Sequence, residues 1–318
     1  MIAELFAPLA AKAPGAFGLT DDAAVLTVAP NEELVVTVDA LVEGVHFLRD
    51  DPPGTIAKKA LRVNLSDLAA KGASPRGYLL SISLPDWIGD EWLTAFAAGL
   101  REDQEKYGID LLGGDTTATP GPLTLSITAL GTVAKARMIR RSGAKPGDIV
   151  FVSGTIGDAG GGLALLRSDD ATIAAQARES LIARYRLPSP RLSLGRSLVG
   201  LASAALDISD GLIADLGHIA RTSRVRLVVE ASRIPLSPAL VSLWGKDADA
   251  ALRAATSGDD YELAFTAPKT ARSRIEKAAE QAGVTVQEIG WVEEGNGVVL
   301  LDEKGVSIPI TRPGFTHF

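Results

Sequence analysis

Apolar and polar positions along the chain switch between a period of two and a period near 3.6. Residues 34–38 (Leu-Val-Val-Thr-Val) read as a buried strand that ends at Asp39. Pro53-Gly54 then open a helical stretch reaching about Lys71, with Gly72 placed to close it. Residues 77–84 alternate as a strand. Asp90 to Tyr107 is helical until Gly108 stops it. Strands are expected again at 109–112 and 123–133. The first half therefore reads β-α-β-α-β-β, a mixed sheet with helices packed on one side.

Residues 134–148 break this pattern. Lys135, Arg137, Arg140, Arg141 and Lys145 crowd here and Pro146-Gly147 follow, which marks a domain boundary. Beyond it the order is strand 149–153, a Gly-rich turn with helix 157–167, a helical region over about 171–203, strand 204–208 and helix 211–222. Strand 225–230, helix 237–255, strand 261–266, helix 269–282 and two terminal strands complete the chain. The expected class is α/β (α+β) in two domains, 1–136 and 137–318.

Composition narrows the function. Apolar residues make up 46% of the 318, enough for a substantial core. A net charge of −7 argues against a nucleic-acid partner, which needs a basic face. The absence of cysteine excludes disulfides, cysteine-ligated zinc and thiol chemistry, and it fits a reducing, cytoplasmic setting. The first 15 residues lack the basic and long apolar regions of a signal peptide. No apolar run reaches the roughly 18 residues of a membrane helix. A soluble protein without a membrane partner is expected.

The chain lacks a G-x-x-x-x-G-K-[ST] loop and a helix-opening G-x-G-x-x-G. What stands out is a set of aspartates at turns: Asp21-Asp22, Asp39, Asp115 in a Gly-Gly-Asp turn, Asp207 and Asp210, and Asp259-Asp260. Strand ends are where ligand sites form in α/β folds, and hard divalent cations want oxygen ligands. Taken singly, each aspartate is better explained by capping or turn formation. Asp67 is the exception, because Asp is a poor helix-interior residue and Asn64 precedes it on the same face. Arg140 and Arg141 could clamp a phosphate or could belong to a solvated connector. His46 and His218 each have an ordinary structural explanation.

Together these segments resemble the thiamine-monophosphate kinase family, of the fold superfamily that includes aminoimidazole ribonucleotide synthetase. The matching stretches are DDAAVL at 21–26, LVEGVHF at 41–47, KALRVNLSDLAAKGA at 59–73, GGDTT at 113–117, RSGAKPGD at 141–148, DISDGLIADLGHIA at 207–220, GDDYEL at 258–263 and GFTHF at 314–318. The resemblance implies the two-domain fold of that superfamily, phosphorylation of thiamine monophosphate by ATP, several Mg²⁺ ions and a homodimer built through the N-terminal domains. It also implies roles. Asp22, Thr37, Val38, Asp39, Asp67, Asp115, Asp207 and Asp210 correspond to cation ligands, Val38 through its backbone. Gly114, Asp115, Arg141 and Ser209 correspond to ATP contacts. His46, Asp259 and Phe315 correspond to thiamine-phosphate contacts. Asp67, Asp115 and Arg141 carry the catalytic weight. The chain departs from the family pattern at Thr20, Val38 and Asp259. The rival readings are an ATP-dependent cyclo-ligase of purine synthesis and a non-catalytic nucleotide-binding homologue.

Overall fold

Glycine, proline and capping residues set most element boundaries in the computed structural model, which describes residues 1–168 and 173–316. Packing divides the chain into two units, Met1–Leu68 with Ala73–Ala136, and Ala69–Gly72 with Arg137 onward. The first unit contains β1 (Glu32–Val42), α1 (Pro53–Ala70), β2 (Ser74–Leu84), α2 (Asp90–Tyr107), β3 (Asp110–Ala118) and β4 (Thr124–Ala134). Helix α2 carries Asp90 and Glu91 in its first turn and Lys106 in its last, complementing the helix dipole. Gly108, at φ 65°, closes it.

The first sheet has the order β1-β4-β2-β3. β1/β4 and β2/β4 are antiparallel and β2/β3 is parallel. Alternation buries Tyr78, Leu80 and Ile82 of β2 and Leu125, Ile127 and Ala129 of β4 on the face that α1 covers. A bidentate Arg62–Asp103 pair at 2.6 and 2.8 Å ties α1 to α2 in a buried setting. The other face is open: Val36 and Val38 are 55% and 60% exposed, and Leu34 and Leu79 are exposed beside them.

The second unit contains β5 (Ile149–Ser153), α3 (Asp158–Leu166), α4 (Ala175–Arg186), α5 (Leu192–Ser197), β6 (Ala204–Asp207), α6 (Leu212–Ser223) and β7 (Arg226–Glu230). It continues with α7 (Pro238–Trp244), α8 (Ala248–Ala255), β8 (Leu263–Ala267), α9 (Arg272–Ala282), β9 (Val286–Glu293) and β10 (Gly297–Leu301). Its sheet has the order β10-β7-β9-β5-β8-β6, with only β10/β7 parallel. Every residue of β5, β6 and β8 is buried. Val150, Val152, Leu206 and Ala264 join one cluster with α4, α6 and α7, while Phe151 and Phe265 stack on the opposite face at 5.2 Å. The helices lie on one side of the first sheet; in the second, the continuous apolar runs of β5, β6 and β8 are buried on both faces, whereas β9 and β10 keep exposed positions.

Several local expectations shift. Asp39 and Asp115 do not end their strands, because the ladders run on to Val42 and Ala118. The apolar run after Asp21-Asp22 reads as a strand in sequence but forms none, and within it the Val25 N–H donates to the Gly15 carbonyl at 2.8 Å. Helix 237–255 divides at Gly245, at φ 85°, and Ser237 and Asp247 cap the two pieces with side-chain oxygens. The helical region expected from 171 divides into α4 and α5 around Pro188 and Pro190, and its residues 171–172 lie outside the described residues. So do the last two residues of the terminal GFTHF motif.

Candidate active site

In the first unit, α1 reaches back to β1 through two side chains. Thr37 Oγ1 donates to Asp67 Oδ2, and the Asp39 N–H donates to Asn64 Oδ1 at 3.2 Å. The spacing of Asn64 and Asp67 on one helix face thus has a structural use: both side chains meet the same strand. His46 lies beyond the end of β1, where Nδ1 accepts the Val42 N–H at 3.0 Å. That bond puts the proton of a neutral ring on Nε2. The buried Lys59 donates to the His46 carbonyl at 2.9 Å and fixes the same loop.

Asp22 and Asp115 occupy a second place. Together with Asp21, Ser81, Leu79 and Leu130 they line a cavity of about 960 Å³ between the open sheet face and the N-terminal segment. The register explains the separation. Asp115 pairs with Ser81 and shares its row with Ser126 and Ala40, whereas Asp39 pairs with Ile127 and shares its row with Leu80 on the helix-covered face. The aspartates of this unit therefore form two groups on opposite faces. Gly114, next to Asp115, has no room for a side chain, since a Cβ would fall 1.9 Å from the Leu80 carbonyl oxygen. The Val38 side chain projects from the open face and has no donor atom, so only its backbone could serve a cation.

In the second unit the turn after β6 gathers the remaining residues. Asp207 ends β6 and is buried; Ser209 and Asp210 follow on the turn into α6. The Asp259 N–H donates to the Ser209 carbonyl at 2.7 Å, the Tyr261 N–H to Ile208 at 2.8 Å, and the Phe315 N–H to Asp210 at 2.8 Å. Asp259 and Tyr261 hold left-handed backbones at φ 67° and 51°, strain of the kind concentrated at functional loops. Below them, Glu262 is fully buried and paired with Arg184 and Arg191, and it accepts from Ser153 Oγ at 2.5 Å. This turn thus joins, through backbone hydrogen bonds, Ser209, Asp210, Asp259 and Phe315, residues far apart in sequence.

The basic segment is strapped to the end of α6. Thr222 Oγ1 donates to the Arg141 carbonyl at 3.0 Å, and Ser223 Oγ accepts the N–H groups of Gly143 and Ala144 at 3.1 and 3.2 Å. His218 stands near both Arg141 and Asp210. Burial, and then the Arg141 and Arg221 charges, hold its pKa below the ordinary value, while Asp210 pulls the other way. One residue here was not singled out in sequence, Asp215 inside the DISDGLIADLGHIA stretch. Asp215 Oδ2 accepts N–H groups from Ser209, Asp210 and Gly211, yet burial and then the Asp210 charge push its pKa up to about 7.

All these donors are hard oxygens, the chemistry that suits Mg²⁺ rather than a softer ion. Among the described residues no three carboxylate or imidazole groups stand close enough to hold a cation by themselves. Asp67 bonds to Thr37, two residues before Asp39 on β1, and Asp207 and Asp210 lie three residues apart around one turn; so sparse a donor set would suit a cation that takes one or two carboxylates and fills its other positions with phosphate and water.

Family models for the AIR synthase related protein N-terminal and C-terminal domains match residues 20–133 and 145–303. With the two mixed-sheet units, they define an AIR synthase-related protein. A thiamine-monophosphate kinase of Caulobacter vibrioides is 43% identical over 319 residues, covering 99% of this chain and 89% of the relative. The crystal structure of thiamine-monophosphate kinase from Stenotrophomonas maltophilia superposes with a TM-score of 0.83 at 43% identity, covering 91% of each chain. AaThiL complexed with AMPPCP and TMP gives 0.79 at 32% identity, covering 96% of this chain and 97% of that one. Within its class, the chain belongs to the thiamine-monophosphate kinase family.

Proposed function

We propose that this chain transfers the γ-phosphoryl group of ATP to thiamine monophosphate, giving thiamine diphosphate and ADP. Membership of the thiamine-monophosphate kinase family supports the reaction, and the AMPPCP and TMP bound to AaThiL support the two substrates. The observation that carries the reading is the turn after β6. One hydrogen-bonded unit there joins Ser209, read as a nucleotide contact, and Asp210, read as a cation ligand, to Asp259 and Phe315, read as acceptor contacts.

The acceptor is itself a phosphate monoester whose second ionisation falls near pH ~6, so at neutral pH its oxygen is already a nucleophile. No general base is needed, and the difficulty is charge. Two like charges 4 Å apart at an effective dielectric of ~20 repel by about 4 kcal/mol. Bound Mg²⁺ supplies the neutralising charge. Asp22, Thr37, the Val38 backbone, Asp39, Asp67, Asp115, Asp207 and Asp210 are the residues to hold it. Arg141, strapped to α6, adds a cation for the transferring phosphoryl group. Gly114, whose missing side chain makes room for Leu80 of β2, offers the nucleotide only its backbone, and His46 offers a ring N–H to the acceptor. The transfer is a single in-line displacement.

We further propose that two copies associate through their first units, which carry Gly114 and the cation residues Asp22 to Asp115, while Arg141, Asp207, Ser209 and Asp210 come from the second unit. The open sheet face with exposed Leu34, Val36, Val38 and Leu79, and the position of β1 at the edge of that sheet, support this. Among the described residues no helix is long and apolar enough to cross a membrane. The cysteine-free composition suits a cytoplasmic enzyme.

The test is to incubate the protein with Mg-ATP and thiamine monophosphate and to measure thiamine diphosphate and ADP. Equal amounts of both products are expected. A cyclo-ligase would ignore this acceptor, and a non-catalytic homologue would bind ATP without releasing ADP; either result rejects the proposal.

A further inference from the structure

Asp215 lies in the first turn of α6 and is 3% exposed. Its Oδ2 alone accepts the N–H groups of Ser209, Asp210 and Gly211, at 3.0, 3.1 and 3.2 Å. Three successive amides converging on one point form an anion-binding concavity, here at a helix N-terminus. In this chain an internal carboxylate fills that concavity. The turn takes further bonds as well. It contains Gly211 at φ 128°, and its carbonyls at Ser209 and Asp210 already serve Asp259 and Phe315.

We infer that Asp215 is a positioning residue: by gathering these amides it sets the turn, just after Asp207 of β6, on which Asp210 presents its carboxylate to a divalent cation. The acceptor oxygen does this, not the charge. Because Asp259 and Phe315 hang from the same turn, its loosening also displaces the acceptor contacts. The inference rests on the reading of Asp210 as a cation ligand, and it adds a residue that touches no substrate.

The experiment compares Asp215→Ala, Asp215→Asn and Asp210→Asn in the full chain. The readouts are Mn²⁺ binding in the presence of ATP by electron paramagnetic resonance, amide hydrogen exchange at residues 209–211, and kcat and KM for the acceptor. Removing a group that orients a metal ligand typically weakens metal binding roughly 10–100-fold, and Asp215→Ala is expected in that range. Exchange at 209–211 should accelerate in the same variant. Asp215→Asn keeps an oxygen able to accept the same N–H groups and should stay within about threefold of wild type in Mn²⁺ binding, since one retained acceptor preserves the bonds. Wild-type Mn²⁺ binding in Asp215→Ala overturns the inference, as does equal damage in Asp215→Asn. If Asp215→Ala does not fold, the wild type still decides: unprotected amides at 209–211 overturn the inference and protected ones support it. Asp210→Asn separates the two layers. If it binds Mn²⁺ normally, the cation reading of Asp210 fails and the inference falls with it. If it does not bind while Asp215→Ala does, only the inference falls.

Discussion

Asp67→Asn separates chemistry from architecture in the first unit. Asp67 is half-buried on α1 and accepts a hydrogen bond from Thr37 Oγ1. The Asn side chain keeps an oxygen in the same place, so the structural loss is the difference between a charged and a neutral acceptor, about 1 kcal/mol. In a chain of 318 residues this lowers Tm by no more than about 2–4 °C. The electrostatic loss is larger. One negative charge removed from about 4 Å beside a cation, at an effective dielectric of ~20, is about 4 kcal/mol. If the transition state bears that loss, turnover falls by about 10³, at about 1.4 kcal/mol per decade. Coupled ADP release at saturating ATP and varied Mg²⁺, set beside thermal melts, measures both quantities. A variant that keeps kcat within about threefold and only melts earlier would refute the argument, since the charge would then serve the fold alone.

Val36→Lys places a charge on the open face of the first sheet. The wild type is expected to sediment as a dimer and the variant as a monomer, and a wild type that is monomeric at micromolar concentration rejects the association. Asp260→Asn addresses stability. Asp260 is buried and accepts the Gly157 N–H on both oxygens at 3.0 and 2.9 Å, yet burial still pushes its pKa well above the ordinary value. A raised folded-state pKa gives stability that is complete below the unfolded value, about 3.9, and is lost as pH rises through the folded value. The Asn variant should therefore resist denaturant better than wild type at neutral pH, with the advantage shrinking toward about pH 4. A variant no more stable than wild type at pH 7–8 contradicts this.

Most elements were legible because punctuation residues decide them locally: Gly108 ends α2, and Pro53 begins α1. Strand lengths were not legible. Whether β1 continues past Asp39 depends on Ala40 pairing with Ser126, and whether β3 continues past Asp115 depends on Thr116 pairing with Ile82. Those partners are remote, so a turn-rich local sequence looked like a strand end. The pairing of Asp67 with Thr37 was half legible, since a helix-interior Asp three residues after Asn64 demanded a partner but did not name it. Asp215 gave no comparable signal. An acidic residue in the first turn of a helix is ordinary, and its partners here are backbone amides, which every sequence contains.

The two units collect functional residues by different means, and the difference bears on how a cation is held. In the second unit the turn after β6 is fixed by its own amides and by the backbones of Asp259, Tyr261 and Phe315, so Asp207 and Asp210 are set before any ligand arrives. In the first unit the Asp67 carboxylate accepts from the Thr37 side chain and the Asp115 carboxylate from the neighbouring Thr116 N–H, and the strand register puts Asp39 and Asp115 on opposite faces of one sheet. A cation held by Asp39 and Asp67 receives no ligand from Asp115 of the same unit. Its remaining positions fall to water and to the phosphates of the substrates, the arrangement Mg²⁺ ordinarily adopts. On the proposed reaction, incomplete protein coordination would let each such cation neutralise both the donor triphosphate and the acceptor monoester. A site closed by protein ligands alone would bind the ion more tightly and leave the two anions to repel each other.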